Sequence, residues 1–188
     1  MVMKLWPTKS RIAVQVTYLQ MFEPVASAPE PRDGVRVIRA ERPTLSFYRY
    51  LYGEVGRPWQ WFERLKLSDQ ALAAAVTAKG IEIDVLYAHG APAGYVEFDK
   101  RRLPDIEIAY FGLLPEFIGQ GLGGYFLRWA LHRAWQIKPG RVWLHTCSLD
   151  HPNALNNYQK AGLMPYRQET VHITDPREEF PHLGEQGA

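Results

Sequence analysis

Four glycines fall within six residues at Gly119-Gln120-Gly121-Leu122-Gly123-Gly124. A run at helical spacing follows at once: Leu122 begins an apolar stripe that continues through Tyr125, Phe126, Trp129, Ala130, Arg133 and Ala134. Glycine lets backbone approach a ligand closely, and the first turn of a helix carries unpaired amide hydrogens at its positive end. Together they make a seat for a phosphate or pyrophosphate. Just upstream, Ile106, Ile108 and Tyr110 alternate with Glu107, Ala109 and Phe111, the period of a strand buried on both faces. Pro115, with no amide hydrogen, stops that ladder. Glu107, on this strand, is the candidate base. If it shares a strand face with Ala109, Phe111 and Leu113, desolvation raises its pKa toward neutrality, where a base is useful. A glutamate that merely reaches water at a strand end fits the residues equally well. Glu97, on the neighbouring strand, is the second candidate, and a water chain can replace either.

The literal spacing G-x-G-x-x-G also admits a dinucleotide. That reading wants an acidic residue about 20 positions on, at the end of the next strand. The region Arg141–Cys147 holds no carboxylate, and too little chain remains for the further strand–helix units such a fold needs.

The elements that must position these residues are legible around them. Arg11 to Met21 alternates as a strand, and Val35 to Arg39 is a shorter one. Glu23 to Asp33 reads as a loop. Thr44 is an N-cap for a helix over Leu45 to Tyr52, which Gly53 and Gly56 end. Trp59 to Leu67 is a second amphipathic piece introduced by Pro58, and Ser68 caps a helix that Gly80 closes. Ile81 to Ala88 and Ala93 to Asp99 form a hairpin around His89-Gly90-Ala91-Pro92. Asp105 to Leu114 is the central strand. After the long helix, Pro139-Gly140 breaks the chain and Arg141 to Cys147 is a strand. Asp150 or His151 caps a helix with Pro152 at its first position, Gly162 ends it, and Leu163 to Thr170 returns as a strand. The strand–helix–strand crossover is expected to be right-handed. The fold class expected is α/β: a mixed, mostly antiparallel sheet with helices on both faces.

Two blocks carry a family resemblance. The first is the strand ending Tyr110–Glu116 with the loop Ile118-Gly119-Gln120-Gly121-Leu122-Gly123, similar to R/Q-x-x-G-x-G/A; Ile118 stands where Arg or Gln is usual. The second is His151–Leu163, similar to N-x-x-A-x-x-x-Y-x-x-x-G-F. There Ala154, Tyr158 and Gly162 match, while His151 and Leu163 replace Asn and Phe. Over roughly residues 81 to 170 the chain resembles the GNAT N-acetyltransferases, the general control non-repressible 5-related superfamily.

The resemblance implies acetyl-CoA as co-substrate, no metal, and transfer to a primary amine by direct attack in a ternary complex. The diphosphate would lie on Ile118, Gly119, Gln120, Gly121, Leu122, Gly123 and Gly124. The backbone of Phe111 and Leu113 would bind the pantetheine arm as if it were an added strand. That requires the central strands to splay, and a bulge near Gly112 would open them. A wedge amide such as that of Leu113 would stabilise the oxyanion. Asn153 would contact pantetheine or only cap its helix. Tyr158 would protonate the leaving thiolate: a phenol near pKa 10 and a thiol near 8.5 are roughly matched. A core tyrosine beside Ala154, Leu155 and Ala161 is the alternative. A non-catalytic acyl-CoA-binding sensor or scaffold is the alternative for the whole chain, motivated by Ile118 and His151.

The 188 residues read as one domain. Residues 1–80 supply the first strand and acceptor-side helices, 81–170 the CoA-binding core and 175–188 a loose tail. A formal charge of +2 gives no case for nucleic acid. No stretch is apolar for long enough to span a membrane, and residues 1–11 show no leader h-region. The single cysteine, Cys147, excludes an intramolecular disulfide and fits the cytoplasm. His145, Cys147 and His151 are too few and too irregular for a zinc site, and no G-x-S-x-G elbow occurs. Trp59, Trp61, Phe62, Tyr48, Tyr50 and Tyr52 are core or, by resemblance, acceptor-pocket walls, suited to an apolar or cationic face. The expected partner is a small-molecule or peptide amine, and a homodimer is compatible with the chain.

Overall fold

The computed structural model describes residues 10–184. Residues 1–9, most of the stretch considered for a leader, and the last four of the tail lie outside them. The order is β1 (Arg11–Met21), β2 (Val35–Arg39), α1 (Leu45–Gly56), α2 (Asp69–Val76), β3 (Ile81–Ala88), β4 (Ala91–Asp99), β5 (Asp105–Leu113), α3 (Leu122–Trp135), β6 (Arg141–Cys147), α4 (Ala154–Lys160) and β7 (Met164–Thr174). All seven strands join one sheet in the order β2-β3-β4-β5-β6-β1-β7. Every pairing is antiparallel except β5 with β6. The expected mixed α/β sheet with helices on both faces is what forms.

The two faces carry separate cores, which is why β3 and β4 read as nearly continuous apolar runs. On one face Val96, Phe98, Ile106, Ile108 and Leu144 pack under Phe126, Leu127, Ala130 and Leu131 of α3. On the other, Ile83, Val85 and Tyr95 pack against Tyr48, Leu51, Tyr52 and Val55 of α1 and Leu72 and Val76 of α2.

Local signals were overruled where packing was stronger. Helix α1 runs through Gly53 to Gly56 because Tyr52 and Val55 are both buried in its core. Gly56 is needed less for the helix than for its neighbour: a Cβ there would lie 2.6 Å from Trp61. Trp59 to Leu67 forms no regular helix; after a short 3-10 turn at Arg57–Trp59 it is a chain of turns pressed against α1. The first hairpin closes in two residues, His89 (φ 49°) and Gly90 (φ 87°), both left-handed, so β4 begins at Ala91 rather than Ala93. Pro152 precedes α4 instead of opening it, and Asn153 holds the N-cap position. Strand β7 continues to Thr174, pairing Arg11 with Thr174.

Residues 175–184, expected to be loose, are fastened. The Asp175 amide donates to the Ser10 carbonyl and the Gly184 amide to that of Arg57 (2.7 Å). Leu183 is buried.

Candidate active site

Strands β5 and β6 stay together for only three residue pairs, Asp105–Arg141, Ile106–Val142 and Glu107–Trp143. An Arg141–Asp105 ion pair pins this closed end. Beyond it β6 follows β1, while β5 follows β4 as far as Leu113. The register between β4 and β5 slips by one at Ala109: Phe98 faces Ile108, but Glu97 faces Tyr110. That bulge bends β5 away from β6. It lies at Ala109 and not near Gly112. Gly112 has another task, since a Cβ there would lie 2.4 Å from Val55 of α1; at Gly94 one would lie 2.4 Å from the Gly112 carbonyl. The splayed end is a cleft of about 520 Å³.

The bulge also reverses the inside–outside alternation of β5. Ile106 and Ile108 face α3, and after the extra residue so do Phe111 and Leu113. Glu107 therefore shares its face with Ala109 and Tyr110, while Phe111 and Leu113, expected beside it, face α3. Glu107 is half-buried and stands 3.7 Å, Oε1 to Nδ1, from His145 of β6. His145 lines the cleft; Glu107 sits behind it. Contact with the Glu107 carboxylate raises the pKa of His145; burial opposes this, and the charges of Asp150 and Glu63 add to the rise.

Glu97 is fully buried and fully engaged. Tyr48 Oη donates to its Oε2 (2.6 Å) and Arg64 Nη2 to its Oε1 (2.5 Å). Burial raises its pKa, against the lowering influence of Arg64 and Tyr48.

The glycine loop forms one end of the cleft. Gly119 (φ 85°) and Gly121 (φ 72°) both require the left-handed region, and Gly121 is the N-cap of the 14-residue α3, with no side chain capping it. A Cβ added at Gly119 or Gly124 would meet nothing within 4 Å, so this backbone is open for close approach. Leu122 turns its side chain into the core, and Gln120 folds back to donate to the Glu116 carbonyl (2.7 Å). Neither of these two residues lines the cleft, whereas Ile118, Gly119, Gly121, Gly123 and Gly124 do. Ile118 is exposed. A residue the sequence did not single out lies over the loop: Arg32, from the segment before β2, donates to the Gly121 carbonyl (3.0 Å) and sits 5.8 Å above the Tyr125 ring.

Tyr158, on α4, is on the cleft wall and meets the Phe111 ring edge-on at 6.3 Å. Burial pushes its phenol well above the ordinary value, with Asp150 adding to the effect. It is thus both the core tyrosine and the cleft tyrosine of the two readings above. Asn153 also lines the cleft; its amide donates to His151 Nδ1 (3.0 Å). Asp150, considered above as a helix cap, instead accepts from the Cys147 amide (2.9 Å), Thr146 Oγ1 (2.8 Å) and Trp61 Nε1 (3.2 Å). It fastens the 59–63 segment to the end of β6. That segment brings Trp59, Trp61, Phe62 and Glu63 to the cleft, where Glu63 accepts from Tyr52 Oη (3.1 Å). Val14 and Val16 of β1 and Val171 and Ile173 of β7 complete this apolar side. Among the described residues no three His, Cys, Asp or Glu side chains form a metal-binding group, and no helix is long and apolar enough to cross a membrane.

A profile of the acetyltransferase (GNAT) family matches residues 40–163. No curated protein matches the chain. Among solved structures, a functionally unknown conserved protein from Staphylococcus epidermidis superposes with a TM-score of 0.63 at 18% identity, over 88% of this chain and 63% of that one. A GCN5-related N-acetyltransferase from Kribbella flavida gives 0.58 at 17%, over 92% and 63%. The spermidine N-acetyltransferase from Vibrio cholerae, in complex with CoA and spermine, gives 0.60 at 17%, over 77% and 97%. At these identities the likeness is one of fold. The chain spans just under two thirds of the length of the first two.

Proposed function

Because the chain belongs to the GNAT acetyltransferase family, we propose that it transfers an acetyl group from acetyl-CoA to a primary amine by direct attack in a ternary complex. The observation that carries this reading is the wedge between β5 and β6, which opens onto the exposed glycine backbone at one end and has Tyr158 on its wall. The diphosphate lies on the amides from Gly119 to Gly124, and the backbone of Phe111 and Leu113 takes the pantetheine arm in the place β6 has vacated. Asn153, on the facing wall, contacts that arm. A backbone amide at Leu113 meets the thioester oxygen as it turns negative. Tyr158, kept protonated by burial, gives its proton to the departing thiolate. We assign the basicity of the site to Glu107 rather than Glu97, whose two oxygens are held by Arg64 and Tyr48.

Arg32 supplies the side-chain cation that Ile118 does not. Its guanidinium already lies over the loop, and among the described residues no carboxylate pairs with it. Arg32→Ala should weaken CoA binding about two- to fivefold, the scale of one exposed charge contact. The difference should shrink as salt is raised, measured by isothermal titration.

The acceptor is a small molecule or peptide whose amine enters past Trp59, Trp61 and Phe62, and Glu63 and Asp150 favour a cationic or apolar-faced compound. Burial pushes the thiol of Cys147 up to about 11, and a single cysteine is compatible with the cytoplasmic setting we propose. The second reading, a CoA-binding sensor without turnover, is favoured by Ile118 and His151. One experiment separates them: thermal shift with CoA, acetyl-CoA and NAD(P), then CoA release across an amine panel. Stabilisation by CoA with release on some amine supports the transferase. Stabilisation without release supports the sensor, and stabilisation by NAD(P) alone removes both.

A further inference from the structure

Glu107 stands behind the cleft wall, and His145 stands on it. The chain has built a carboxylate–imidazole pair at the fork of the wedge. Glu107 belongs to the last residue pair that β5 and β6 share, and His145 is two residues further along β6, where the strands have parted. About half of the side chain is exposed (47%), and two rings flank it. Tyr18 of β1 packs against it at 5.8 Å and Trp143 of its own strand at 6.5 Å. Nδ1 faces the Glu107 carboxylate, which leaves Nε2 for the cleft. The charged and titratable groups around it are Glu107 on β5, Asp150 after β6, Glu63 on the 59–63 segment and Tyr18 on β1. No Lys or Arg is among the cleft-lining residues. The carboxylates of Glu107, Asp150 and Glu63 favour its taking a proton; the guanidiniums of Arg167 and Arg141, which lie over the Tyr18 and Trp143 rings that flank it, oppose this from further away.

We propose that His145 is the group that takes the proton from the acceptor nitrogen, with Glu107 acting through it as a positioning residue. The inference rests on the acyl-transfer reading above and refines its base. The amine enters neutral, and its lone pair forms the new C–N bond at the thioester carbon. A proton passes from that nitrogen to Nε2 of His145. The C–S bond breaks, its electron pair stays on sulfur, and the sulfur takes the proton of Tyr158. The imidazolium and the phenolate then exchange one proton through water, and both are restored. At 3.7 Å the carboxylate lies just beyond hydrogen-bond length, and its charge favours the hydrogen on Nδ1, which presents a lone pair at Nε2.

The test uses His145→Gln and Glu107→Gln, with circular dichroism and CoA titration to establish that each is folded and still loads co-substrate. In the free wild type, NMR should show the His145 imidazole titrating above the ordinary value, and Glu107→Gln should bring it down. In steady state, kcat/KM for the amine falls on the acid side as His145 becomes protonated. The part of that limb set by His145 should move to lower pH in Glu107→Gln and be lost in His145→Gln, leaving only the fall set by the amine's own protonation; His145→Gln should also lose about tenfold to a hundredfold in kcat, with water standing in as base. His145→Ala should regain part of the rate with added imidazole. If His145→Gln turns over at the wild-type rate with the acid limb in place, or if Glu107→Gln is dead while His145→Gln is active, the inference is overturned and the transferase reading stands. If the folded wild type binds CoA but releases none with any amine, the transferase reading fails first and takes this inference with it.

Discussion

Tyr158→Phe should lower kcat about a hundredfold to a thousandfold while leaving the CoA dissociation constant within about twofold. The expectation follows from what the substitution removes and what it keeps. The ring packs edge-on against Phe111 and belongs to the same core as Leu155 and Ala161, and phenylalanine reproduces those contacts. Only the proton donor goes. Burial holds the phenol above its ordinary pKa, so across the neutral range it carries a proton to give. Its acidity is weaker than in water, but a thiolate leaving in the same dry cleft is also more basic than in water, so the match between donor and acceptor survives. In the variant the thiolate must depart unprotonated or wait for water. A hundredfold is about 2.7 kcal/mol of barrier. The check is CoA release at saturating amine beside a calorimetric titration of CoA. A rate within threefold of the wild type would return Tyr158 to the core and reopen the sensor reading. A matched loss of CoA affinity would make it a binding residue instead.

The sequence carried the strand bounds well because period two is a local property. Arg11–Met21, Val35–Arg39, Ile81–Ala88 and Arg141–Cys147 form where their alternation or apolar runs place them. Tyr158 was legible because α4 and its motif are contiguous. Glu107 was legible as a residue but not as a geometry. One extra residue at Ala109 reverses the alternation on which its expected neighbours were counted, and a bulge leaves no local mark when the inserted residue is an ordinary alanine. His145 and Asp150 are only five positions apart, but Glu63 and Arg32 come to them from 82 and 113 positions before His145, through pairings that only the folded sheet creates. Pattern reading weighs each within its own segment and finds a strand histidine, a glutamate of an amphipathic piece, a helix cap and a loop arginine. The one signal that could have found His145 was its place two residues past the point where parallel strands must part. The segment Trp59–Leu67 misled for a related reason. Its amphipathic look comes from side chains that anchor a loop to α1, not from a helix.

That anchored loop is where the largest stability effect should appear. Arg64→Met should destabilise the fold by about 3–5 kcal/mol at pH 8, because it leaves the Glu97 carboxylate buried without its counter-ion. Glu97 is fully buried, and its remaining partner would be the Tyr48 hydroxyl. The deficit should depend on pH in a definite direction. Burial already holds the folded-state pKa of Glu97 above its ordinary value, and Arg64 is the main influence lowering it. Without Arg64 the folded value rises further. A carboxyl raised in this way favours folding below its unfolded pKa, where it is protonated in both states, and loses that stability as pH climbs through the folded value. Urea unfolding of the variant should therefore show a small deficit near pH 4 and the full one at pH 8; a deficit unchanged between them would mean that the lost packing of Arg64 over Tyr110, not the stranded charge, is responsible. Removing both charges, Arg64→Met with Glu97→Leu, should recover most of the loss, as apolar replacements of buried pairs commonly do. The same variant bears on function. Arg64 follows Glu63 directly and ties the Trp59–Glu63 wall to the sheet through Glu97, whereas the glycine loop stands on α3 and shares none of these contacts. Loosening that tie should raise KM for the amine and leave CoA affinity unchanged, which divides the two halves of the cleft by the core that supports each.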